Sequence, residues 1–70
     1  GREVKNMKQF DRKKFAVALL DAELTKKELS KKSGVSRTTI ANVYAGMRCS
    51  DKIANKIADA LNVPVQDLII

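Results

Sequence analysis

The stretch Leu24-Thr25-Lys26-Lys27-Glu28-Leu29-Ser30-Lys31-Lys32-Ser33-Gly34-Val35-Ser36-Arg37-Thr38-Thr39-Ile40-Ala41-Asn42-Val43-Tyr44-Ala45-Gly46 decides the fold. Thr25 and Glu28 have the spacing of a capping box, in which the threonine hydroxyl accepts from the Glu28 N–H while the carboxylate accepts from the Thr25 N–H. A helix is therefore expected from Lys26. Gly34 stops it, because glycine enters the left-handed conformation of a helix C-cap without a Cβ penalty. Ser36, two residues on, is a good N-cap for the next helix. Val35 before that cap can pack on Ile40, and Leu24 on Leu29, as hydrophobic staples.

So short a join forces two helices of about two turns each to cross steeply, as in a helix-turn-helix, where the second helix is offered to DNA. At about 100° per residue, Thr39, Ile40 and Val43 cluster on one side of that second helix, and Arg37, Thr38, Ala41, Asn42 and Ala45 occupy the other. The second set is the expected reading face. Each member is small or can hydrogen-bond, and no carboxylate is present to repel phosphate.

Seventy residues, 44% of them hydrophobic, allow one small helical domain and no second one. A single cysteine excludes an internal disulfide and points to a reducing compartment, so a cytoplasmic location is expected. No apolar run approaches the roughly 20 residues of a membrane span. With no histidine and one cysteine, neither a zinc site nor a Cys/His or Ser/His/Asp nucleophile can be assembled. No enzymatic activity, metal or cofactor is expected.

Net charge is +6, from 14 Lys+Arg against 8 Asp+Glu, which suits a polyanionic partner. Its distribution is more telling than its size. No acid occurs between Glu28 and Asp51, while Lys31, Lys32, Arg37 and Arg48 all fall in that window. The basic surplus surrounds the reading helix, whereas an ordinary solvated face would have no reason to exclude acids there.

Outward from this centre, residues 1–8 show no periodicity and are expected to be a flexible N-terminal tail, with Gly1 to Asn6 an added segment ahead of a natural start at Met7. The domain proper is expected over residues 9–70. Asp11 caps a first helix running to Ala22, with Phe10 and Phe15 as its staple; Phe15, Ala18, Leu19 and Ala22 face inward, and Val17 and Leu20 are expected half exposed. After Gly46, Met47 and Cys49 read as loop residues. Ser50 caps a fourth helix over 51–61, with Ile53, Ala54, Ile57, Ala58 and Leu61 buried and Asn62 as C-cap. Pro64 opens a last short helix, giving five helices and no strands.

The pattern resembles the phage repressor and Cro type of helix-turn-helix domain, the lambda repressor-like family of compact five-helix, all-α DNA-binding proteins of bacteria and phages. The matching residues are Leu24-Thr25 with Glu28-Leu29, Gly34-Val35-Ser36, Thr39-Ile40, Val43 and Gly46, then Lys56-Ile57-Ala58, Ala60-Leu61, Val63, Asp67 and Leu68. The resemblance implies base reading from the first turns of helix three, here Arg37, Thr38, Ala41 and Asn42. It implies phosphate contacts from the first residue of helix two, from Arg48 and from the start of helix four at Ser50 to Lys52. Helix two here begins with Lys26 where the family usually has glutamine, which keeps a phosphate role and drops the amide chemistry.

Physical chemistry supports the same residues. Arg37 carries the planar fork that pairs with guanine O6 and N7, and Asn42 can pair with adenine N6 and N7. Thr38 offers a hydroxyl and a methyl, and Ala41 close approach. A phosphate is the alternative partner of Arg37, and plain solvation the alternative for Thr38. Ser36 and Tyr44 border this face and are further phosphate candidates, Tyr44 with simple packing as its alternative. The expected function is a sequence-specific double-stranded DNA-binding transcriptional regulator, most simply a repressor. An antitoxin- or coactivator-like interaction module of the same fold is the alternative, disfavoured by the acid-free reading face. A single short reading helix covers few base pairs, so a weak homodimer on DNA is expected, joined at the C-terminal end through Leu68, Ile69 and Ile70.

Overall fold

A computed structural model describes residues 7–70, so residues 1–6 of the tail expected over 1–8 lie outside the described residues. In chain order the elements are β1 (Met7–Gln9), α1 (Arg12–Ala22), α2 (Lys26–Ser33), α3 (Arg37–Tyr44), β2 (Arg48–Ser50), α4 (Asp51–Leu61) and one 3-10 turn (Val65–Asp67).

Each helix starts on a side-chain cap. Asp11 accepts from the N–H groups of Lys13 and Lys14 at 2.9 and 3.1 Å. Thr25 and Glu28 form the full capping box, at 2.9 and 3.1 Å. Ser36 accepts from Thr39 and Ser50 from Ile53, both at 3.2 Å. These bonds satisfy N–H groups that the first helical turn leaves orphaned. Gly34 ends α2 in the left-handed region at φ 77°. Asn62 plays that part for α4 at φ 58° and Glu23 for α1 at φ 57°, the latter unread in the sequence.

The core gathers Phe10, Phe15, Leu29, Ile40, Val43, Ile57 and Leu68, all essentially inaccessible to solvent. Phe10 and Phe15 are in tilted contact with ring centroids 4.9 Å apart, so the expected staple of α1 forms. Ala54 and Ala58 are buried on α4 as expected, joined by Ala60, while Ile53 is only half-buried. Truncating Phe15 to alanine would cost about 3–5 kcal/mol, a large share of the roughly 4–10 kcal/mol that a chain of this size commands.

Five expectations are corrected. Strands are present: β1 pairs antiparallel with β2, matching Met7 to Ser50, Lys8 to Cys49 and Gln9 to Arg48. Met7 and Lys8 thus belong to the fold rather than to a tail, held by this ladder and by a 3.5 Å ion pair from Lys8 to Asp51 at the start of α4. Cys49 is a buried β2 residue instead of a loop residue, and burial, with help from nearby Asp51, pushes its thiol above the ordinary range.

The fifth helix is the single 3-10 turn, leaving four α-helices among the described residues. Beyond it the chain extends along β1, with the Asp11 N–H donating to Leu68 O at 2.7 Å, the Ile70 N–H donating to Gln9 O at 3.0 Å, and Ile69 bridged to Phe10. Backbone groups at the far edge of β1 are satisfied by this extended end, which a helix could not supply. Leu68 consequently points into the core, fully buried, and is no surface contact.

Candidate nucleic-acid interface

Helices α2 and α3 are joined through Gly34, Val35 and Ser36. The Ser30 hydroxyl donates to Val35 O at 2.6 Å and the Val35 N–H donates to the Ser33 hydroxyl at 3.2 Å, so the turn is pinned from α2. Val35 is buried with Ile40 and Val43, which fixes the inner side of α3. Arg37, Thr38, Ala41, Asn42 and Ala45 are exposed on the other side, as the angular reading expected.

Lys26, Arg37, Thr38 and Ala41 line one shallow surface depression of about 440 Å³. The structure therefore brings together the first residue of α2 and three of the four base-reading candidates. The Lys26 ammonium sits 4.0 Å from the centroid of the Tyr44 ring, and that ring lies 5.5 Å from Phe15. Tyr44 is thus half-buried between the core and a cation, a contact that spacing could not reveal.

Asn42 is exposed but outside the depression; its carbonyl accepts from the Met47 N–H at 3.0 Å, tightening the turn after α3. That turn passes through Gly46 at φ 103°. Gln9 braces it from β1, its side-chain N–H donating to Gly46 O at 2.8 Å. Gln9 went unread because its partner lies across the β1–β2 pairing, and no local pattern signals it.

Arg48 and Lys52 are exposed, at β2 and the first turn of α4. Arg48 borders the C-terminal residues Ile69 and Ile70 rather than the Lys26 depression. Ser50 is half-buried and Ser36 exposed; both hydroxyls serve as caps, and Ser36 Oγ also donates to Thr39 Oγ1 at 2.8 Å. Of the C-terminal trio, Leu68 is core, Ile69 is half-buried and Ile70 is 79% exposed.

A helix-turn-helix whose second helix presents an exposed, acid-free face beside a lysine defines a nucleic-acid-binding class of fold. The family model of the Cro/C1-type HTH DNA-binding domain matches residues 14–70, and the chain belongs to that family. The chain is also similar to a crystal structure of the transcriptional regulator VanUg, at 28% identity and a TM-score of 0.75, over 93% of this chain and 85% of that one. No curated protein matches it.

Proposed function

We propose that the chain is a sequence-specific double-stranded DNA-binding transcriptional regulator, a repressor acting by occupancy, that inserts α3 into the major groove. The observation that carries this reading is the convergence of Lys26, Arg37, Thr38 and Ala41 on one open surface while Ile40 and Val43 are buried behind it. Arg37 reads guanine, with Thr38, Ala41 and Asn42 completing the base contacts. Lys26, Tyr44, Arg48 and Lys52 hold phosphates, and Ser36 and Ser50 order the helix starts that face the backbone.

One α3 reads too few base pairs for a unique site, so two copies occupy a pseudo-palindrome with half-sites about 10–10.5 base pairs apart. Contact between them lies toward the C-terminal end, where Ile70 is exposed. Cytoplasmic action on bacterial or phage DNA fits this reading.

Selection of bound duplexes from a random pool tests it. Enrichment of one motif, repeated as inverted half-sites, is expected. A recovered pool indistinguishable from the input would overturn the reading.

A further inference from the structure

The outer face of α1 carries two large apolar side chains with no cover among the described residues: Val17 is 54% and Leu20 77% exposed. They are one turn apart and share a face. Beside them runs a groove of about 380 Å³ whose apolar lining includes Val17, Ala22, Leu61 and Val63. Its rims are charged, with Lys13 and Lys14 at one end of α1 and Asp21 toward the other, and Asp67 adds a further acid from the 3-10 turn.

The charge order on α1 is unusual for a helix alone. Behind the capping Asp11, Arg12, Lys13 and Lys14 occupy its first turn, and Asp21 and Glu23 are its last residue but one and its cap, with no acid in the first turn itself and no base in the last. Asp11 apart, this runs against the helix macrodipole, which favours acids at the start and bases at the end. A face selected only for solvation would not prefer that order. An antiparallel neighbour of the same sequence would, because each basic start then meets an acidic end and the two dipoles oppose each other. The pattern is self-complementary about the Val17–Leu20 turn, as a two-fold contact requires.

We propose that a second copy of this chain docks on α1, the two α1 helices antiparallel, with Val17 and Leu20 at the centre and Lys13 and Lys14 facing the partner's Asp21 and Glu23. The proposal rests on the two-copy part of the proposed function and extends the contact from the exposed Ile70 across α1. The two regions adjoin, since Lys14 Nζ donates to Ile69 O at 3.3 Å. An 11-residue helix is only about 16 Å long. Such a contact is smaller than the roughly 1,200 Å² of a stable interface, so the dimer is weak.

Sedimentation equilibrium of the full chain without DNA tests this. A concentration-dependent dimer is expected below about 1 mM. Leu20→Lys should weaken it by at least about tenfold. Lys13→Asp should weaken it about two- to tenfold, and adding Asp21→Lys to that variant should restore it. Lys13→Asp also matches the helix dipole, so an unchanged or raised thermal midpoint shows that the variant folds. A monomer at every concentration, a dimer indifferent to Leu20→Lys, or a dimer lost only in Ile70→Lys would overturn the α1 contact. Binding of a single DNA half-site, measured on the same variants, reads the DNA-binding proposal separately: it should survive every α1 substitution, and its absence in the parent chain would sink that proposal while leaving the dimer result standing.

Discussion

The ammonium of Lys26, at the first position of α2, stacks 4.0 Å from the ring centroid of Tyr44, the last residue of α3. The pair fastens the two helices together at the surface where Arg37 and Thr38 emerge, and under the proposed function it holds a flexible cation ready for a phosphate. An exposed cation–π contact is worth about 0.5–1 kcal/mol.

Tyr44→Leu should therefore lower DNA affinity by about two- to fivefold, while Tyr44→Phe, which keeps the ring, should stay close to the parent. Lys26→Ala should flatten the plot of log K against log salt by about one. Titrations at several salt concentrations separate the two effects. Equal losses in Tyr44→Phe and Tyr44→Leu would mean that the hydroxyl, rather than the ring, makes the contribution.

Arg37→Ala is expected to cost about 1–3 kcal/mol on the selected site and to relax discrimination at one base pair. Arg37→Lys should recover only part, because an ammonium cannot reproduce the two-pronged contact. Competition assays with cognate and scrambled duplexes decide the role. Losses of the same size on both would assign Arg37 to a phosphate.

Left-handed backbone at helix ends gives two stability tests of opposite sign. Gly34→Ala adds a Cβ with no atom within 4 Å, so its cost is backbone strain alone, about 1–2 kcal/mol. Glu23→Gly relieves the same strain at φ 57° and should stabilise by about 0.5–1 kcal/mol. Urea unfolding reads both.

The capping box makes stability depend on acid. Hydrogen bonds from Thr25, first through its backbone N–H and then its hydroxyl, hold the Glu28 carboxyl below its ordinary value of 4.5, against an opposing desolvation that exceeds the added pull of Lys31. A lowered folded-state value means that the contribution is fully present above 4.5 and is lost as pH falls through that lower value. Glu28→Gln should accordingly be less stable than the parent at neutral pH, the gap closing below the ordinary glutamate range. A gap that persists or widens in acid would contradict this assignment.

Local signals carried most of the fold. The Thr25–Glu28 box, the Phe10–Phe15 staple, Ser36, Ser50 and Gly34 each act within five residues of their partners, and all form. Non-local hydrogen bonding was invisible. Three-residue strands are too short for alternation to register, and β1 exists only because β2 and the chain end satisfy its two edges. The same pairing buries Cys49, turns Leu68 inward and leaves Ile70 outside. Periodicity alone found the exposed face of α3, yet it could not show that Lys26 stands beside Arg37 or that Tyr44 holds it, since the crossing of α2 and α3 decides both.

Backbone amide shifts of the labelled chain, followed while the selected duplex is added, test the central claim most directly. The account predicts the largest changes at Lys26, over Arg37 to Asn42, and from Arg48 to Lys52, with Val17 and Leu20 unmoved by a single half-site. Changes concentrated on α1, or a pattern identical with scrambled duplex, would contradict it.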